Sequence, residues 1–261
     1  VPGGSQGYAE GETVSRRGST IRTYFLWPDT HAPYHDVTAV NVALAAANAI
    51  EPDELIMLGD GYDFYAVSFY GKDPRRKFLL QDEIDEGRPV WDAVDELGVP
   101  VTVCEGNHEL RLSRYIREKA PALDGLVRSA RDAFPADWGW VPYGQSHRVG
   151  KALVSHDFGR CGINAARQGL IDVGANIAFG HTHGMGIAII GQQRGSAHSA
   201  MACGWLGSLD HIDYRHAALA KRTYQHGFGI IRVCTDTGNV WMTPVPIVKN
   251  ECVVDGRRVR V

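Results

Sequence analysis

Five short apolar runs in this chain end in the same chemical way. IRTYFLW (21–27) leads through Pro28 into Asp29-Thr30-His31, and ELIML (54–58) leads into Gly59-Asp60. VPVTV (99–103) is followed by Gly106-Asn107-His108, KALVS (151–155) by His156, and NIAF (176–179) by Gly180-His181-Thr182-His183. Short apolar runs bounded by Gly and polar residues read as buried strands. Longer amphipathic stretches lie between them, at 36–50 with Asp36 near its start, 81–97 closed by Gly98 and Pro100, 109–119 and 161–172, and these read as helices. Strands alternating with helices define an α/β chain. In open α/β sheets the strand C-termini share one edge, where ligands bind. The pattern therefore predicts that polar residues spread over positions 29–183 converge on one place.

The rest of the chain limits the alternatives. Residues 1–20 are rich in Gly, Ser and charge and read as a flexible N-terminal tail. Residues 21–261 read as a single domain. After residue 184, GIAIIG, SAHSAMACG, HGFGIIRV and NVWMTPV look like strands, with a polar, His-bearing insertion near 208–226. The net charge of −3 gives no global field toward nucleic acid or a membrane. The five cysteines are scattered, odd in number and without a C-x-x-C pair, which suits free thiols in a reducing compartment. No apolar run approaches the roughly 18 residues of a membrane span and no signal-peptide pattern is seen, so a soluble, cytoplasmic protein is expected. The chain begins at Val1 rather than Met, which is compatible with further sequence upstream.

The side chains at the strand ends are Asp, Asn and His, with no thiolate among them. That donor set suits hard-to-borderline divalent metals such as Mn, Fe or Zn. The i, i+2 spacing of Asp29/His31 and of His181/His183 puts each pair on one side of an extended segment. Glycine before Asp60, Asn107 and His181 lets the backbone turn sharply. A lone His-x-His is a weak signal; five such motifs in register at strand ends are a strong one.

In this ordered set the chain resembles the calcineurin-like metallophosphoesterases. The family's blocks D-x-H, G-D-x-x-D, G-N-H-(D/E), H-(G) and G-H-x-H stand here as Asp29-Thr30-His31, Gly59-Asp60-Gly61-Tyr62-Asp63, Gly106-Asn107-His108-Glu109, His156-Asp157 and Gly180-His181-Thr182-His183. The resemblance implies a four-layer α/β/β/α sandwich, two mixed β-sheets packed face to face with flanking helices. It implies two divalent metal ions, manganese first, with iron, zinc or nickel as alternatives. Asp29, His31 and His183 would hold one, Asn107, His156 and His181 the other, and Asp60 would bridge them. Two cations about 3.5–4 Å apart can clamp an in-line displacement at phosphorus, with a hydroxide between them as nucleophile. The leaving alkoxide then needs a proton, which makes His108 the candidate general acid and Asp63 its orienting partner.

Two positions depart from the family. Protein phosphatases of the family carry Arg after the second Asp of the second block; this chain has Phe64, which argues against a protein serine/threonine phosphatase. The fourth block has Asp157 where Gly is usual, and His147 stands as the fallback for His156.

Substrate contacts are expected from Arg111, Asn107 and Tyr62. GYDFYAVSFYG (61–71) could stack a nucleobase, against the plainer reading of a packing surface. Arg111 and Arg114, at i, i+3 in the helix after the third block, could reach a phosphate. Trp205 reads as core. The leading expectation is a phosphodiesterase of nucleotide-type substrates, resembling small bacterial and bacteriophage members, with a monoester phosphatase close behind. A repair-type exo- or endonuclease acting on nucleic-acid ends and a non-catalytic metal-binding scaffold are the alternatives. No membrane partner is expected and nothing indicates an oligomer.

Overall fold

The computed structural model describes residues 20–73, 79–191, 197–211 and 223–261. All but the last residue of the expected tail, the basic cluster Arg75-Arg76-Lys77 and most of the 208–226 insertion lie outside the described residues.

In chain order the elements are β1 (Ile21–Trp27), α1 (Val37–Ile50), β2 (Glu54–Met57), α2 (Leu80–Asp95), β3 (Val101–Cys104), α3 (Leu110–Lys119), β4 (Gly139–Val141), β5 (His147–Val149), β6 (Ala152–Ser155), α4 (Ala165–Val173), β7 (Asn176–Phe179), β8 (Met185–Gly191), β9 (Ala197–Cys203), β10 (Gly227–Cys234), β11 (Val240–Pro246), β12 (Glu251–Val254) and β13 (Arg257–Arg260). One sheet runs β11-β10-β1-β2-β3-β4 and the other β5-β6-β7-β9-β8. Strands β1 to β4 are mutually parallel, as are β6, β7 and β9, while β10, β11, β5 and β8 pair antiparallel to their neighbours.

Strand alternation sorts the side chains into layers, because successive residues point to opposite faces. Tyr24 and Leu26 of β1, with Ile56 of β2, face Val154, Ala178, Met201 and Cys203 of the second sheet, and this cluster joins the two sheets. Phe25 and Trp27, with Leu55 and Met57, face the other way onto α1 and α2. Ile177, Phe179, Ala200 and Ala202 turn outward beneath α4. The result is helix, sheet, sheet, helix: two mixed sheets face to face with flanking helices. Each fully buried large apolar side chain contributes about 1.5–3 kcal/mol. Alanines 39, 43, 46 and 47 form the buried stripe that lets α1 lie close to its sheet.

Some boundaries differ from the sequence reading, for local reasons. Asp36 does cap α1, accepting from Ala39 N at 2.8 Å. The fourth helix starts at Ala165 rather than 161, because Gly162 sits at φ 80°, outside the helical region. Strands β4 and β5 are three residues each, too short to show a period. The C-terminal hairpin of β12 and β13, which packs on α1, was also not expected.

Candidate metal centre

The C-terminal ends of β1, β2 and β3 from one sheet and of β6, β7 and β9 from the other meet at one edge. The loops leaving them are tied together by backbone bonds. Thr30 N and His31 N both donate to Asp60 O, at 3.0 and 2.9 Å, and Gly180 N donates to His156 O at 3.0 Å. Four of the candidate donor residues in these loops have positive φ without being glycine: His31 (54°), Asp60 (48°), His181 (61°) and His183 (54°). Such conformations cost of order 1–3 kcal/mol each and persist where the surroundings over-determine them. The block glycines serve close approach. A Cβ on Gly180 would overlap Asp29 Oδ1, and one on Gly106 would overlap Asp60 N and Oδ1, well inside the 3.0 Å that real contacts respect.

The donor atoms fall into two sets. In the first, His31 Nε2 lies 3.0 Å from His183 Nε2, which lies 3.1 Å from Asp29 Oδ2. In the second, Asn107 Oδ1 lies 2.9 Å from His156 Nε2 and 2.8 Å from His181 Nδ1, and those two nitrogens are 3.1 Å apart. Among the described His, Cys, Asp and Glu side chains, Asp60 groups both with Asp29, His31 and His183 and with His156 and His181. Its Oδ1 accepts from His108 N at 2.8 Å, and its Oδ2 lies 3.5 Å from His156 Nε2.

These donors fit divalent cations. His156 Nδ1 donates to Leu58 O at 2.7 Å, so its Nε2 presents a lone pair to the second set. His31 Nδ1 donates to Asp63 Oδ2 at 3.2 Å, so its Nε2 presents a lone pair to the first. Asp29 Oδ2 is buried and receives no well-formed hydrogen bond. Lone pairs about 3 Å apart, turned toward one another in a buried space, are what bonds of roughly 2.0–2.2 Å to a shared cation require, and orienting partners on the far ring nitrogens are typical of metal-binding histidines. The electrostatics agree. Burial opposes ionisation of Asp29 and Asp60, yet the neighbouring imidazoles hold both carboxyls below the ordinary range. Burial pushes the His31 pKa down and so favours its neutral ring.

Glu109 and Tyr224 carry no role in the sequence reading, and Trp205 is read there as core, which its burial bears out. Glu109 is buried and collects three backbone N–H groups: Asp60 N and Gly106 N at 2.9 Å, and Tyr62 N at 3.2 Å. It staples the second block to the third. Burial and the charge of Asp60 push its pKa up to about 7. Trp205, just after β9, stacks on His183 with centroids 4.9 Å apart and planes at 16°, and Tyr224 meets the same imidazole edge-on at 4.6 Å. The stacking of Trp205 depends on β9 lying beside β7.

His108 and Asp63 adjoin the first set. His108 Nδ1 donates to the backbone carbonyl of Asp63 at 3.0 Å, while the Asp63 carboxylate stands 3.4 Å away. That carboxylate also faces His31 and takes a bond from Arg111 Nη1 at 3.0 Å. Asp63 thus orients His108 chiefly through its backbone and His31 through its side chain. His108 Nε2 lies 3.7 Å from Asp60 Oδ2. Burial disfavours its imidazolium, but Asp60 and Asp63 outweigh burial and raise its pKa.

Tyr62 requires correction. It is fully buried, with its hydroxyl donating to Ile84 O and Ala133 O at 3.2 Å, and it packs against Phe64, Trp91 and Phe134. Its ring lies against Gly87 of α2, where a Cβ would collide with it. Tyr62 is core, with no exposed side-chain surface to offer a substrate. His147 opens β5 and faces Glu54 at 3.3 Å, at the opposite end of β2 from Asp60, so it does not replace His156. Asp157 accepts from Tyr143 Oη at 2.6 Å and Gly159 N at 2.7 Å and does not join the donor groups. Arg111 enters from α3 and reaches Asp63 and His108.

All five blocks lie on one edge. The chain's resemblance to the calcineurin-like metallophosphoesterases therefore holds in three dimensions. No family model matches the chain. It is similar to the gene 54 proteins of Mycobacterium phage L5 and Mycobacterium phage D29, at 27% identity over 258 and 257 residues, covering 88% and 87% of this chain and 95% and 94% of theirs. Among solved structures it is similar to a single-mutant Vps29 from Entamoeba histolytica (12% identity, TM-score 0.40, covering 91% of this chain and 98% of that one). It is also similar to the nuclease MPE of Pseudomonas putida (13%, 0.34, 84% and 87%) and to Yfce, a phosphoesterase from E. coli (12%, 0.35, 85% and 98%). At TM-scores below 0.5 these likenesses decide nothing about chemistry; the side chains carry it. No helix among the described residues is long and apolar enough to cross a membrane.

Proposed function

We propose that this chain is a metal-dependent phosphoesterase with a dinuclear centre, acting on phosphodiesters and, second, on phosphomonoesters. The observation that carries the reading is the pair of buried donor sets sharing Asp60. Asp29, His31 and His183 would hold one divalent cation, Asn107, His156 and His181 the other, with Asp60 common to both. When bound, the cations would supply water activation and charge neutralisation for in-line displacement at phosphorus.

The chain's own residues supply the rest. Glu109 holds the Asp60 loop against the third block. Asp63 and Leu58 fix the tautomers of His31 and His156. His108, buried beside Asp60 with its Nδ1 tied to Asp63 O, is placed to give a proton from Nε2 to the leaving oxygen. Arg111 is placed to meet a non-bridging phosphate oxygen. An acid at His108 suits esters with poor alkoxide leaving groups, alkyl phosphodiesters among them.

A panel of mono-, di- and cyclic phosphoesters and short DNA, assayed with Mn, Fe, Ni and Zn, tests this reading. Hydrolysis of diesters that stops on chelation supports it. Metal-loaded protein that cleaves no phosphoester would favour a scaffold, and steeply salt-dependent DNA affinity would favour a nuclease.

A further inference from the structure

The aromatic run after the second block divides in two. Tyr62, Phe64 and Tyr65 are buried, whereas Phe69 is 41% and Tyr70 72% exposed. The packing surface is therefore the first half only. The second half lies beside α3, where Arg114 sets its guanidinium over the Phe69 ring, 4.5 Å from the centroid. Glu118 accepts from Arg114 Nε at 3.0 Å and steadies it there. Arg114 is one helical turn from Arg111 on the same face, and Arg111 Nη2 reaches His108 Nε2 at 2.7 Å. A strip thus runs outward from His108 through Arg111 and Arg114 to Phe69, with Tyr70 next in sequence.

The direction of the strip matters. A general acid protonates the leaving oxygen, so the leaving group departs on the His108 side. On the His156 side the neighbouring side chains are Asp157 and Tyr143, joined to each other, which offer an anion nothing. Two exposed rings gain less from an alkyl or sugar alcohol than from a flat base that can stack on them. With a guanidinium over one of them, they match a flat base attached to a phosphate: the rings stack on the base, and Arg adds cation–π and phosphate contacts.

We propose that Phe69, Tyr70 and Arg114 form the leaving-group subsite and that it takes a nucleobase, which makes the preferred substrate a nucleoside-bearing phosphodiester. The assignment of this subsite to the leaving group rests on the phosphoesterase reading above.

Equilibrium binding tests it apart from turnover. The full chain carrying His108→Asn, which keeps every assigned metal donor and turns over alkyl diesters slowly, is titrated calorimetrically in Mn with a dithymidine monophosphate and with the same diester whose leaving nucleoside lacks its base. Binding about tenfold tighter with the base is expected, falling to a ratio of about one in a Phe69→Ala/Tyr70→Ala variant and kept in Phe69→Trp. A ratio near one in the parent, or an unchanged ratio in the double alanine variant, overturns the proposal. Diester hydrolysis without base dependence would leave the activity standing and remove the subsite. Base-dependent binding by a chain that cleaves no diester would keep the base site and remove the activity.

Discussion

His108 Nε2 lies 2.7 Å from a guanidinium nitrogen of Arg111. A guanidinium cannot accept a hydrogen bond, so this contact needs a lone pair on Nε2 and the proton on Nδ1, where Asp63 O receives it. In that arrangement His108 is a neutral ring and not yet an acid. To act as one it must carry a proton on Nε2, and Arg111 must turn from it toward the phosphate. On the proposed mechanism the two residues would exchange this contact when substrate binds.

Arg111→Met should therefore raise KM for a phosphodiester about tenfold or more, since a charge-assisted hydrogen bond contributes roughly 1.5–3 kcal/mol. Metal content should not change, because Arg111 contacts none of the donor atoms assigned to the metals. Steady-state kinetics beside metal analysis checks this; an unaltered KM would remove Arg111 from substrate binding.

Replacing His108 with Asn should separate substrates by leaving group. An alkyl phosphodiester should lose about 10²–10⁴-fold in kcat/KM, the usual range for a general acid. Bis-p-nitrophenyl phosphate, whose leaving group needs no proton, should lose far less. Equal losses on both would take the acid role away from His108.

Gly180→Ala tests why glycine precedes the last two histidines. Its added methyl would strike Asp29 Oδ1, the atom that accepts from His181 N at 3.0 Å. Gly180 is not among the positive-φ residues, so the backbone itself tolerates alanine. The expected result is a folded chain whose metal affinity falls about 10–100-fold, the range seen when groups supporting metal ligands are disturbed. Circular dichroism and metal titration measure both quantities, and wild-type affinity would contradict the packing argument.

Glu83, on α2, gives a pH dependence away from the metal donors. It is buried and accepts from Tyr65 N at 2.8 Å and Ala66 N at 2.6 Å. Burial pushes its carboxyl from 4.5 up to about 7 despite those bonds. The folded chain then binds the extra proton between those pH values, so stability falls as pH rises through the window. Against Glu83→Gln, which does not titrate, the wild type should lose about 3 kcal/mol from pH 4.5 to above 7. Denaturant unfolding at several pH values reads the difference, and a flat difference would refute the shift.

The donor residues were legible in the sequence because each stands within a few positions of a strand end, where a local pattern reports a long-range convergence. The α/β class followed from the same alternation, whereas the two facing sheets with helices outside came from the resemblance to the family. What stayed hidden depends on contacts between distant segments. Tyr62 and Tyr70 look alike within one aromatic run, and only the fit of Tyr62 against Gly87 of α2 sends the first inward. The stack of Trp205 on His183 needs β9 to pair with β7. Glu109 was visible in the third block, but its service to the Asp60 loop appears only when the two loops meet.

The central claim is that two divalent cations share Asp60. Its most direct test is metal content together with turnover in one experiment on wild type and Asp60→Ala. The claim predicts about two Mn ions per wild-type chain, release of p-nitrophenol from bis-p-nitrophenyl phosphate, and collapse of both metal content and release in the variant. A wild-type chain that binds no more than one ion, or an Asp60→Ala variant that keeps both ions and the activity, would contradict it.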